Sequence, residues 1–250
     1  MMRCVKTCFA VALIIAQVNH VHGQDAAIED LLSQATSAAE RGEHDKAIAR
    51  LTEVIEKSPA TTMAWYLRGR EHFRAGKIAE AVADFDKYVQ LVPQAEARQW
   101  ERGIAYYYAG QFDKGAKQFE LYQSFHDQDV ENSAWRYLCV DRSDSVEKAQ
   151  SNMLPIAHDS RIPMMQIYDL YRGKSSPDEV IAAATKVTSK DSRNLALFYA
   201  HLYVGLWHEV GGRKSEAKTN ILEAERHKIA HYMWDVAHVH ADRLRAAEKN

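Results

Sequence analysis

Ala64-Trp65-Tyr66-Leu67-Arg68-Gly69-Arg70-Glu71-His72-Phe73, then Ala75-Gly76-Lys77-Ile78, then Ala79-Glu80-Ala81-Val82-Ala83-Asp84-Phe85-Asp86-Lys87-Tyr88-Val89-Gln90-Leu91, closed by Val92-Pro93, is the stretch that decides the fold. It reads as helix, turn, helix and stop. The apolar residues recur at helical spacing, Gly76 suits the positive φ that ends a first helix, and Pro93 forbids the second from continuing. The same pattern returns after 34 residues on either side: Gly42, Gly76 and Gly110; Pro59 and Pro93; Gly69 and Gly103; Phe85 and Phe119; Tyr88 and Tyr122. A fixed period of this length marks stacked helix pairs that shield one another's apolar faces.

Three units align, 26–59, 60–93 and 94–127. Gly69 and Gly103 are expected where the paired helices approach closely. Ala47, Ala81 and Gly115 keep the crossing small, and Leu51, Phe85 and Phe119 fill the space beside it. The pattern resembles the tetratricopeptide repeat. The expected fold is therefore all-α, an α-solenoid of antiparallel helix pairs in a right-handed superhelix.

The stretch 128–197 is a degenerate helical-repeat segment, with Asp127 where a proline is expected. Helices are predicted around Glu131–Val140, Ser143–Asn152 and Pro163–Tyr171, and Ser176-Pro177-Asp178-Glu179 reads as a capped helix start. The period returns over 198–231, where Gly205, Gly212, Ala217, Ile221 and Ala224 repeat the spacing of Gly69, Gly76, Ala81, Phe85 and Tyr88. A last helix over 232–250 is expected to cover the open end of the array.

The chain has 250 residues, 46% of them hydrophobic, with net charge −2, which gives no basic footprint for nucleic acid. Residues 1–23 read as a secretory signal: Arg3 and Lys6, an apolar run Phe9–Ala16 too short to span a bilayer, then Val21-His22-Gly23. Cleavage there would leave 34 acidic against 30 basic residues, about −4, and Cys139 as the single cysteine, read as a buried small hydrophobe. The rival reading of 1–23 is an uncleaved anchor.

Glu101-Arg102-Gly103-Ile104-Ala105-Tyr106-Tyr107-Tyr108-Ala109-Gly110, Ser133 to Leu138, Ile167 to Gly173, and the Tyr199 to Ala224 repeat carry a further resemblance. With these segments the chain resembles the NlpI-like family of bacterial envelope proteins. The resemblance implies a non-enzymatic adaptor, often dimeric, that gathers proteases and cell-wall hydrolases in the periplasm. The family's founding members are lipoproteins, with a cysteine directly after the apolar run. Here Gln17-Val18-Asn19-His20 follow that run, so the expectation is a periplasmic or secreted protein without a lipid.

The first helix of each unit is expected to line a concave groove. The residues placed there are Met63, Tyr66, Arg70, Phe73 and Arg74, then Ala97, Trp100, Ile104, Tyr107 and Tyr108. Aromatics interleaved with arginine suit capture of a protein or peptide. The same residues would equally suit burial against the irregular middle or a dimer mate. The Lys and Asn that clamp a C-terminal carboxylate elsewhere in the repeat superfamily are absent from these positions.

His201, His208, His227, His231, His238 and His240 cluster late, with His227 and His231 spaced for one helix face. Lys228 stands where a zinc protease would carry glutamate, and no metal or cofactor is expected. No Gly-x-Ser-x-Gly elbow or phosphate-cradling glycine loop is present, so no catalytic residue is assigned. Glu40, Glu43, Asp45, Glu53 and Glu56 read as outward charges, and Glu80, Asp84 and Lys87 as surface pairs. Two alternatives to a binding scaffold remain: an enzyme or metal-binding subunit using 128–176 or the histidines, and a structural module for self-association.

Overall fold

The computed structural model describes residues 25–247, and these contain helices and no strands. The signal segment 1–23, with its cleavage and anchoring readings, lies outside the described residues, as does the end of the chain at 248–250. Among the described residues no helix is long and apolar enough to cross a membrane.

The elements are α1 (25–40), α2 (His44–Lys57), α3 (Thr62–Arg74), α4 (Ile78–Leu91), a 3-10 turn (Pro93–Arg98), α5 (Trp100–Tyr108) and α6 (Phe112–Tyr122). There follow α7 (Val130–Ser143), α8 (Val146–Ser151), α9 (Met164–Tyr171), α10 (Pro177–Thr185), α11 (Lys190–Val210), α12 (Lys214–Arg226) and α13 (Tyr232–Ala247). From α2 to α7 each helix packs on the next, and α11 packs on α7, α9, α10 and α12. The architecture is an α-solenoid of antiparallel helix pairs.

The regular units obey the spacing read from the sequence. Gly42, Gly76 and Gly110 each have φ +72°, a conformation that costs a residue with a Cβ. A Cβ on Gly103 would lie 2.7 Å from the Phe119 ring, so close packing of α5 on α6 requires its absence. Phe85 and Phe119 are fully enclosed beside these crossings, each worth about 1.5–3 kcal/mol of burial.

A second, polar periodicity runs with the apolar one. Arg68, Arg102 and Arg136, each 34 apart, tie neighbouring helices together. Arg68 binds Asp84 through two bonds (2.8 and 2.7 Å) and Thr52 (3.0 Å). Arg102 binds Asp86 (2.7 Å) and Gln118 (3.0 Å), and Arg136 donates to the Asn152 carbonyl (2.5 Å). Asp84 is therefore buried in a bidentate pair instead of forming the surface pair expected of it.

The middle forms its helices where expected but starts them differently. Asp129, Ser145 and Ser176 accept from the first turns of α7, α8 and α10, and Ser176 with Glu179 completes a capping box. The starts of α2 to α6 carry no side-chain cap.

The largest departure concerns α13. It was expected to close the open end of the array. It packs on α12, the preceding helix of the array, and reaches further to α3, so the chain's last helix also lies in the hollow beside the second and third units. The reason is apolar demand. Tyr232, Met233, Val236, Ala237 and Val239 are buried in one continuous core with Phe73, Ile104 and Tyr108. Leu31, Ala35, Leu51, Val54, Ile55 and Ala64 form a separate, smaller core beneath the first unit.

Candidate functional site

The concave side begins at α3. Arg74 donates to Asp235 of α13 (2.7 Å) and also pairs with Glu71. His44 approaches the other Glu71 oxygen (2.7 Å). Burial pushes the Glu71 carboxyl up, but His44 and Arg74 outweigh it and hold the group below its usual value. Arg70 lies over the Tyr232 ring (4.7 Å) and the Tyr66 ring (5.7 Å), and its Nε has no hydrogen-bond partner. Tyr66 donates to the buried Glu101 carboxylate (2.6 Å).

These contacts correct the expected groove. Phe73, Ile104, Tyr107 and Tyr108 are buried. Phe73 meets the Tyr108 and Tyr232 rings, and Tyr108 is hydrogen-bonded to His240 of α13 (2.8 Å). Tyr107 packs on Phe112 and Trp135. Trp100 is half-buried under His231, stacked at 6.1 Å, and Tyr232 at 5.6 Å. Ala97 lies in the 3-10 turn and not on α5. Met63 is exposed (49%), while Tyr66, Arg70 and Arg74 are intermediate. The face that the sequence assigns to a partner is occupied there by α13 of the same chain.

Two openings adjoin the start of α13. A cleft of about 690 Å³ lies between α1, α2 and α3 on one side and the 228–235 stretch on the other. Its walls include Thr36, Ala39, Leu67, Arg70, Lys228 and Trp234. A smaller cavity of about 160 Å³ is lined by Trp100, Phe119, Tyr122 and Trp135, with Asp129, Glu131, Asn132, Arg161 and Met233. His231 borders both. Partial desolvation lowers the His231 pKa, and Arg161 and Arg70 lower it further, which favours the neutral ring.

In the smaller cavity Arg161 binds Asp159 (2.6 Å), Asp129 (2.7 Å) and Glu131 (2.5 Å), and Tyr203 donates to Glu131 (2.8 Å). Burial and the neighbouring Asp129 charge still push the Glu131 carboxyl up, to about 7. Sequence reading missed this cavity. Its acids and Arg161 sit in the non-periodic 128–161 stretch, where no spacing links them to Trp100.

The histidines do not form the expected pair. Helix α12 ends at Arg226, so His227 is its C-cap and His231 precedes α13; they share no helix face. His227 meets Asn194 (3.0 Å) and stacks on His201 (5.9 Å). Glu225, His238 and Asp242 place ligand atoms within 4.8 Å of one another. Arg245 already pairs with both of those carboxylates, which supplies the positive charge there. Cys139 is buried, as read from its apolar neighbours, and burial pushes its thiol up.

Residues 32–96 match the family model of the tetratricopeptide repeat. That match supports a tetratricopeptide-repeat protein. Among known proteins the chain is similar to Protein SGT1 homolog of Oryza sativa subsp. japonica, 32% identical over 100 residues, covering 40% of this chain and 27% of that protein. It is also similar to Protein SGT1 homolog of Bos taurus, 23% identical over 173 residues, covering 69% of this chain and 49% of that protein. The chain thus spans about half the length of these relatives or less. Both are eukaryotic, and neither adds to the NlpI-like resemblance. Repeats of this kind suggest a scaffold for protein–protein interaction.

Proposed function

We propose that this protein is a non-catalytic adaptor that holds a segment of a partner protein in the cleft between α1–α3 and the start of α13. The observation that carries the reading is the cleft itself: about 690 Å³, walled by repeat helices, with Arg70 set in its side. Among the described residues Arg70 has ring partners and no direct ion pair, so its guanidinium can meet a carboxylate or carbonyl of the guest. Exposed Thr36 and Lys228 and half-buried Ala39 and Trp234 give the apolar and polar contacts that a peptide needs.

The test is partner capture by the full chain. Binding should be lost in Arg70→Glu and in Thr36→Trp, which blocks the cleft, and kept in Glu56→Trp, which does not line it. Equal capture by all three variants would end the proposal.

The setting belongs to the same proposal. The positive start and short apolar run of residues 1–23 support export, to the periplasm or beyond the cell, without a lipid. By the NlpI-like resemblance the partners would be envelope proteases or cell-wall hydrolases, and the protein a dimer. Fractionation with N-terminal sequencing checks the first point: the mature chain should begin at Gln24.

A further inference from the structure

The small cavity beside His231 has a composition that the cleft lacks. Four aromatic rings, those of Trp100, Phe119, Tyr122 and Trp135, form its walls. Ring faces attract cations, and more strongly once water is excluded. The charge points the same way. Asp129 and Glu131 are in the wall and Asp159 stands behind, against one guanidinium, that of Arg161, which all three carboxylates already engage. The nearby guanidinium groups of Arg161 and Arg70 disfavour a positive charge on His231.

A third observation is an acceptor without a donor. Asn132 is 3% exposed, its Nδ2 is committed to Gln123 (3.1 Å), and its Oδ1 has no partner. A buried acceptor of this kind carries a penalty until a donor reaches it. Trp135 Nε1, in the same wall, likewise lacks an acceptor, so water or a ligand carbonyl is needed beside the cation.

We propose that this cavity binds one cationic side chain, arginine or lysine, of the segment captured in the adjoining cleft. The inference rests on the adaptor reading for the origin of that side chain, but not for the binding itself. The guanidinium or ammonium lies among the four rings and donates to Asn132 Oδ1 and to the Glu131 or Asp129 carboxylate. Burial and crowding of like charge hold the Glu131 carboxyl high, and an entering cation relieves the crowding. The volume of about 160 Å³ suits one side chain and not a folded element.

The test uses the full chain and small probes: Nα-acetyl-arginine methylamide, its lysine counterpart, and the citrulline counterpart, which keeps the arginine shape without the charge. Indole N–H signals of Trp100 and Trp135 are followed by NMR. Saturable shifts at these two indoles with a cationic probe, absent with citrulline, are expected. Glu131→Gln should weaken binding by roughly tenfold. Should that variant not fold, Asp129→Asn, which keeps an oxygen for the α7 start, carries the same test. Equal shifts with citrulline, or no saturation with either cation, would overturn the cavity proposal and leave the cleft untouched. Loss of partner capture in Arg70→Glu with probe binding retained would separate the two readings the other way.

Discussion

Along the first unit the concave side is open, whereas along the second and third it is filled. The apolar residues under the first unit close among themselves, from Leu31 to Ala64. Those of α3 and α5 cannot. Phe73, Ile104 and Tyr108 share one core with Tyr232, Val236 and Val239 of α13, and Phe73 meets the Tyr232 ring while Tyr108 bonds to His240. The difference teaches where a partner can sit. A repeat face rich in aromatics reads as a docking surface, yet here the richest part is claimed by the chain's own last helix, and the less apolar part is left as the cleft.

The largest expected effect tests whether α13 is part of the fold or a loosely held strap. Tyr232 is buried against Phe73 and Trp100 and lies under the Arg70 and Arg74 guanidinium groups. Tyr232→Ala should cost about 3–5 kcal/mol in urea unfolding, as for other buried aromatic truncations. A cost below about 1 kcal/mol would mean that the filled and open faces are not energetically distinct.

The next effect is graded by pH. Glu131 has its folded pKa raised from the ordinary 4.5 to about 7. The folded state therefore holds the proton more tightly than the unfolded chain. Its contribution to stability is fully present below about pH 4.5 and is lost as pH rises through 7. Wild type should lose stability relative to Glu131→Gln over that window, by at most about 1.4 kcal/mol per pH unit. Denaturation curves at pH 5 and pH 8 measure it, and parallel behaviour of the two proteins would remove Glu131 from the buried side of the comparison. The Glu71 carboxyl, held below its usual value, has the opposite sign: its contribution is present above about 4.5 and fades as pH falls below that.

What the sequence revealed and what it hid divide along the same line. Gly76, Gly103, Phe119 and the stop at Pro93 were legible because each acts within one helix pair, at a separation the period displays. Ser176 with Glu179 was legible because a capping box is complete within four residues. The return of α13 was not. Arg74 and Asp235 are 161 positions apart, and nothing local says which face a terminal helix will cover. The arginine row at 68, 102 and 136 stands in the sequence as a 34-residue repeat, and Asp84, Gln118 and the Asn152 carbonyl each lie 16 residues further on, but the partners differ in type, so residue identity alone does not display the row. His227 and His231 misled because no proline or glycine between them marks the end of α12.

A smaller effect probes the seam. Asp235 joins α13 to α3 through Arg74, with both side chains about one-fifth exposed. Asp235→Asn should cost about 1–2 kcal/mol, since Arg74 retains Glu71. It should also raise amide exchange at the start of α13 without touching α2. Uniform loosening of both helices would show that the two faces unfold as one unit.

The smallest effect on stability carries the largest consequence for binding. Thr36 is exposed on α1 at the cleft, and its hydroxyl bonds only to the Leu32 carbonyl (3.0 Å) of its own helix. Thr36→Trp should leave the unfolding free energy within about 0.5 kcal/mol of wild type, as for surface sites elsewhere. The indole would occupy the space a guest needs, so partner capture should fall while thermal melting does not. If Thr36→Trp binds like wild type, the open face is merely unfilled. If Tyr232→Ala then binds more tightly, the partner belongs under α13, and the helix is its competitor.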